Sequence, residues 1–258
     1  MLFKVMRVDM LLPDLNSNDK TLTALTMKIL KIYKEKSKDA IIYLERARKI
    51  KDELGSGFSV VYCWFYSVPQ KWTILEPKIF KLANKTNNFD LDFILQTSTS
   101  KLAKLMKPLM FYNKISLQLK NFCEAIKKEY FSWDEFVKEI KKESIYNIFK
   151  TLNKHSNIRV TFKNLASMKI FIGKEDDLLI LDTHVANVLG IEKKYLHKYR
   201  LKENYFRSLL KLAYTITDRL KHYGMTEVTM AKWSLSIWFY ETRTPGEILL
   251  NYSYLNPR

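Results

Sequence analysis

Glycine and proline are scarce in this sequence, six of each in 258 residues. An all-β fold needs more tight turns than that supply supports, so helices joined by polar turns are the expected framework. Cysteine is scarcer still: Cys63 and Cys123 lie sixty residues apart, and neither belongs to a C-x-x-C pair. That excludes a four-cysteine iron–sulfur cluster and the usual cysteine zinc or redox spacings. No apolar run approaches a membrane-spanning length. The opening MLFKVMRVDMLLPDLN is interrupted by Lys4, Arg7 and Asp9, unlike the continuous apolar segment of a secretory signal. A cytoplasmic protein with no membrane partner is expected.

Negative charge is also in deficit, with 27 acidic residues against 44 Lys and Arg, a net charge of +17. The natural partner of such a surface is a polyanion such as nucleic acid. Lysine enrichment that follows source composition and heat stability gives the same total. A membrane-surface protein would show a long helix with one basic and one bulky apolar face, or a lipidation signal, and neither is evident. Hydrophobic residues make up 47% of the chain, enough for one sizeable core or two small domains sharing a cleft.

Apolar residues recur at helical spacing through residues 19–54, and Ser37 and Asp39 are placed to interrupt and recap the pattern. Two helices are therefore expected there, closed by Gly55-Ser56-Gly57. Residues 58–66, FSVVYCWFY, are apolar almost all round, which fits a fully buried helix or a buried strand. Further helices are expected over about 73–85, 100–106, 113–129, 133–142 (opened by Ser132 and Glu135 at capping-box spacing), 162–173, 203–222 and 226–241.

Chemistry is most pointed at Asp182-Thr183-His184, which emerges from the apolar run at 178–181 and precedes a short helix ending at Gly190. A carboxylate at a helix start is held by backbone donors as an available anion. The plainer account makes Asp182 a cap and His184 a satisfied histidine. Lys163 stands nineteen positions upstream, near the start of the preceding helix. A return loop would bring that amine opposite the carboxylate, a nucleophile beside an anion, although spacing in so basic a chain decides little by itself.

The sequence resembles the helix-hairpin-helix DNA glycosylases, the family of endonuclease III and the archaeal 8-oxoguanine DNA glycosylases, segment by segment and in order. LLILDTHVANVLG (178–190) looks like the segment that carries the family's catalytic aspartate, and KNLASMKIFIG (163–173) like the helix that begins with its catalytic lysine. MFYNKISLQLKNF (110–122) is similar to the segment whose first residue wedges into the DNA stack. FSVVYCWFYSVPQKW (58–72) is similar to the buried helix that ends in a gap-filling glutamine. KHYGMTEVTMAKWSLSIWFYET (221–242) resembles the closing aromatic helix of the archaeal oxoguanine enzymes.

The resemblance implies an all-α fold in which two helical subdomains, 58–175 and 1–57 plus 176–258, flank a DNA-binding cleft within one unit of 1–258. It implies a monomer that acts on duplex DNA containing a damaged base, with no metal or organic cofactor. Lys163 and Asp182 take the catalytic roles; Gln70, Phe111, Asn113, Lys114, Arg159 and His184 take DNA contacts. Trp233, Trp238 and Phe239 are placed to stack on an extruded base or to form core. Two departures stand out. Arg159-Val160-Thr161-Phe162 replaces the glycine-rich hairpin GVGxK, so Arg159 is left to grip phosphate by its side chain. Ser234 stands where an acidic residue is expected, four before Trp238, which leaves the excised base open.

The implied reaction is removal of an oxidised purine through a lysine Schiff base, followed by β-elimination. Attack needs the neutral amine, whereas a lysine of ordinary pKa near 10.4 is protonated at neutral pH, so burial and the local field have to favour the free base. A glycosylase of the same fold for another damaged or mismatched base is one alternative. A noncatalytic helical module that binds nucleic acid through charge and stacking is the other.

Overall fold

The computed structural model describes residues 19–66, 71–155, 158 and 160–243. All regular structure among them is helical, with no strand. In chain order the helices are α1 (Asp19–Phe65), α2 (Trp72–Lys85), α3 (Leu91–Gln96), α4 (Thr99–Leu105), α5 (Tyr112–Tyr130), α6 (Trp133–Lys142) and α7 (Ile145–Leu152). They continue with α8 (Phe162–Phe171), α9 (Thr183–Val188), a single 3-10 turn at Lys193–Tyr195, α10 (Leu196–Leu201), α11 (Glu203–His222) and α12 (Met230–Thr242).

The break expected at Ser37 and Asp39 does not occur. Tyr33, Ala40, Tyr43, Leu44 and Ala47 are buried at helical spacing across it, so the apolar face continues while the polar residues sit on the outer side. There Asp39 pairs with Lys36 at 3.4 Å instead of capping a new helix. The interruption falls at Gly55, whose φ of 83° and ψ of 177° are open essentially to glycine and divide α1 into two helical pieces. The segment FSVVYCWFY is helical through Phe65, and Val60, Val61, Cys63 and Phe65 are almost fully buried. Burial all round, rather than sheet pairing, accounts for its continuous apolar character.

The described residues divide into two compact units, one made of 19–42 with 176–243 and the other lying within 43–175. In the first unit, Phe206, Leu209, Ala213, Ile216 and Leu220 form the buried stripe of α11, and α12 contributes Trp233, Ile237 and Phe239. Trp233 is fully buried and its indole N–H donates to Thr217 Oγ1 at 2.9 Å, which satisfies the one polar atom of the ring. α12 starts at Met230, not at 226, because Thr229 supplies the cap by accepting from the Lys232 N–H.

Aromatic rings dominate the core of the second unit. Phe58 stacks on Phe80 with centroids 5.2 Å apart, and Phe122 lies edge-on to Phe136 at 6.2 Å. Burial of such a side chain contributes about 1.5–3 kcal/mol. Ser132 caps α6 by accepting from the Glu135 N–H at 3.2 Å, while the Glu135 carboxylate turns to Lys138 at 2.5 Å. The close approach of α1 to the 87–89 turn depends on Gly57. A Cβ there would lie 2.9 Å from the carbonyl oxygens of both Asn88 and Phe89 and 3.0 Å from Trp133 Cδ1.

Helices α7 and α8 are joined through residues 153–161. Asn153 Nδ2 bridges the connection by donating to the carbonyls of Phe149 (3.0 Å) and Val160 (3.2 Å). Phe149 stacks on Phe162 at 4.1 Å and pins the two helices together. No helix among the described residues is long and apolar enough to cross a membrane.

Candidate functional site

Lys163 lies in the first turn of α8, and local sequence explains why that turn is rigid. Thr161 caps the helix by accepting from the Asn164 N–H at 3.2 Å, and Asn164 Oδ1 accepts in return from the Thr161 N–H at 3.2 Å. This is a capping box with Asn in place of the usual Glu or Gln. Asn164 Nδ2 also donates to the Trp64 carbonyl at 2.9 Å, so the buried amide ties α8 to the end of α1. Nine of the ten α8 residues are buried, and Lys163 is the half-buried exception. Its Nζ donates to the Tyr66 carbonyl at 2.7 Å.

Tyr66 is itself firmly held. Its ring stacks on Trp72 at 4.4 Å, 7° from parallel, and on Phe171 at 5.6 Å, 3° from parallel. Its hydroxyl meets Tyr43 at 2.5 Å, and Tyr43 meets the Tyr62 hydroxyl at 3.0 Å. Tyr62 then donates to the carboxylate of buried Glu76. Burial pushes all three phenols well above their ordinary range, and the Glu76 carboxylate adds to it for each. At neutral pH the three phenols are protonated, which leaves Tyr62 able to donate to Glu76. Glu76, the one acidic residue of α2, signals this network in the sequence. The Tyr66 carbonyl has no signal, because any residue carries one.

Asp182, in the first unit, is the N-cap of α9 and accepts from the Val185 N–H at 2.7 Å. The helix is closed at its other end by paired bonds: Ile191 N–H donates to the Ala186 carbonyl at 2.8 Å and Gly190 N–H to that of Asn187 at 3.2 Å. Gly190 has a φ of 74° as that closure requires. Arg200, which the sequence did not single out, donates from Nε to the Leu181 carbonyl at 3.1 Å. Burial lowers its guanidinium from the ordinary value, and the nearby Asp182 carboxylate acts in the opposite direction. Asp182 therefore has a fixed geometry and a cationic neighbour. His184 is half-buried in the same turn.

Phe111 immediately precedes α5 and is 60% exposed with a left-handed backbone, φ 56° and ψ 31°. A bulky residue in that conformation is strained, and exposure gives it no core contact in compensation. Asn113 and Lys114 follow on the exposed first turn. Trp233 and Phe239 are fully buried in the core of their unit, whereas Trp238 is half-buried and edge-on to Phe239 at 5.0 Å. Ser234 is buried, and its hydroxyl donates to the Ala231 carbonyl at 3.1 Å. Gln70 and Arg159 lie outside the described residues.

The structure thus holds Lys163, Phe111, Asn113 and Lys114 in one unit and Asp182, His184 and the late tryptophans in the other. Among the described residues there is no group of three or more His, Cys, Asp or Glu arranged to hold a metal ion. No family model, curated protein or solved structure matches the chain.

Proposed function

We propose that the protein is a DNA base-excision enzyme, a glycosylase with β-elimination lyase activity, that removes an oxidised purine such as 8-oxoguanine from duplex DNA. One observation carries the reading: in a helix whose other nine residues are buried, Lys163 alone is half-buried, in a first turn fixed by a capping box, with its amine held by the Tyr66 carbonyl. The capping box fixes the start of the helix and the carbonyl fixes the amine, which is the positioning a nucleophile needs. Asp182, held in place as the cap of α9, supports the reading as the anion that stabilises positive charge on the sugar.

On this reading Phe111 inserts into the stack as the damaged base leaves it. Extrusion costs a few kcal/mol, which the wedge and phosphate contacts offset. The lone pair of Lys163 Nζ forms a bond to the sugar C1′ as the glycosidic C–N bond breaks, and the base departs with that electron pair and takes up a proton. The new nitrogen substituent sheds a proton, its lone pair then forms the C1′=N iminium, and the ring oxygen leaves C1′ with the C–O pair and takes up a proton. Removal of a C2′ proton then expels the 3′ phosphate. The α7–α8 connection serves as a divergent helix-hairpin-helix, its phosphate contact supplied by side chains. The reading requires Lys163 and Asp182 to act on one nucleotide.

Excision measured across duplexes carrying 8-oxoguanine, uracil, a thymine mismatch or an alkylated purine tests the proposal. The expected result is release of oxoguanine by the wild type and none by Lys163→Ala. Release of another base alone moves the assignment within the fold. Salt-sensitive binding with no release from any duplex reduces the protein to a binding module.

A further inference from the structure

Acidic residues are absent from 77–89 and from 93–123, two stretches that hold Lys78, Lys81, Lys85, Lys101, Lys104, Lys107, Lys114 and Lys120. The acid that precedes the first stretch, Glu76, is buried and bonded to Tyr62. Within the second unit the fold sets these stretches side by side. Lys78, Lys81 and Lys85 form one wall of a groove, and Leu105, Met106 and Pro108 line the other. Lys78 Nζ donates to the Pro108 carbonyl at 2.6 Å and ties the walls together.

Lys81 and Lys85 are exposed on the groove, and Lys101, Lys104 and Lys107 are exposed on and just beyond α4, which leads into it. None of the five has an acidic partner among the described residues. Lysines elsewhere in the same unit do, as Lys127 with Asp92 at 3.0 Å and Lys138 with Glu135 at 2.5 Å show. The positive charge of the groove is therefore uncompensated locally. Spacing of i, i+3 and i+7 puts the three α2 lysines on one face over about 10 Å, the axial rise of about three nucleotides of one strand. Asn84 and Asn87 are exposed beside them, and Met110 and Phe111 stand exposed beyond the other wall.

We infer that the groove between α2 and residues 105–109 is a track for the phosphodiester backbone of a nucleic acid, separate from the residues assigned to the lesion. The inference rests on the reading that the partner is nucleic acid, but not on the excision chemistry. Lysines in register supply phosphate contacts and the exposed amides supply hydrogen bonds to sugar and phosphate. An anionic lipid surface would instead call for a broad bulky apolar face on α2, whose one large exposed apolar side chain is Ile74.

The test uses the full chain and a fluorescein-labelled DNA duplex, with affinity measured by anisotropy from 50 to 200 mM salt. Lys81→Gln/Lys85→Gln removes two exposed cations, with Lys138→Gln as the control from a paired site. The double variant is expected to lose about 1.8 from the magnitude of the salt slope, so that its affinity deficit is about tenfold larger at 50 mM than at 200 mM salt. The control is expected to match the wild type, and melting curves should coincide for all three. An unchanged slope in the double variant overturns the track, even where excision of a damaged base is intact. A reduced slope without excision upholds the track and removes the glycosylase. Loss of binding to phosphatidylserine vesicles, with DNA binding unaffected, reassigns the groove to membrane and overturns the inference.

Discussion

Replacing Gly57 with Ala tests the packing that places the end of α1, and with it Tyr66 beside Lys163. The substitution should be favourable on helix propensity alone, by up to about 1 kcal/mol. The structure reverses that sign. The new Cβ would sit 2.9 Å from two backbone carbonyl oxygens and 3.0 Å from Trp133 Cδ1, well inside the roughly 3.5–4.0 Å at which carbon contacts are attractive. None of the three is the free end of a flexible chain. Relief requires the 87–89 turn to retreat, which costs about 1–3 kcal/mol as overpacking. It also stretches the 2.8 Å bond from Trp133 Nε1 to the Phe89 carbonyl, for about 1 kcal/mol more. The net expectation is destabilisation by about 2 kcal/mol, or a Tm lower by about 4–8 °C at this chain length. Thermal and urea unfolding followed by far-UV circular dichroism measure it. A variant as stable as the wild type, or more stable, would refute the close approach.

Three further outcomes follow from particular residues. Phe111→Gly relieves a strained left-handed backbone while it removes an exposed ring, so stability should change by less than about 1 kcal/mol while excision falls about tenfold; an unchanged excision rate would remove Phe111 from the wedge role. Tyr199→Phe deletes a fully buried hydroxyl that has no hydrogen-bond partner among the described residues and should stabilise the protein by about 1 kcal/mol in urea melts, whereas a loss of stability would mean that the hydroxyl is satisfied. Burial pushes Tyr130 from its ordinary value near 10 up to about 12, and Tyr43, Tyr62 and Tyr66 are raised in the same direction. Because the folded-state values exceed the unfolded ones, this contribution is complete below about pH 10 and is lost as pH climbs toward about 12; a melting temperature that is flat from pH 9 to 11.5, alongside tyrosinate absorbance, would contradict it.

The long elements were legible from their apolar stripes, as in α5 and α11, and in α6 from a stripe and a cap together. Ser37 and Asp39 misled because cap-forming residues are also tolerated on the outer face of a helix whose buried face continues at Ala40, Tyr43 and Leu44. Helices α3, α7 and α10 went unrecognised because six to eight residues give about two turns, too few for a period to emerge, even though Asp90 and Ser144 cap the first two. Lys163 and Asp182 were singled out through segment resemblance, and the start of α9 was readable through its Asp182 cap. The contact of Lys163 with the Tyr66 carbonyl was not readable, since a backbone acceptor ninety-seven residues away carries no side-chain identity. Arg200 was one basic residue among 44 until the fold set it against Leu181. The lysine groove was visible in the sequence as two acid-free stretches with lysines, and the packing of α2 against residues 105–109 set them along one groove.

Borohydride trapping on a duplex containing 8-oxoguanine tests the central claim most directly, with Lys163→Ala, Asp182→Ala and an abasic-site duplex alongside. Reduction fixes the iminium as a stable protein–DNA adduct. The account predicts an adduct for the wild type on both duplexes, none for Lys163→Ala on either, and a strongly reduced yield for Asp182→Ala on the oxoguanine duplex. An adduct that persists in Lys163→Ala, or no adduct from the wild type on either duplex, would contradict the assignment of Lys163 as the nucleophile.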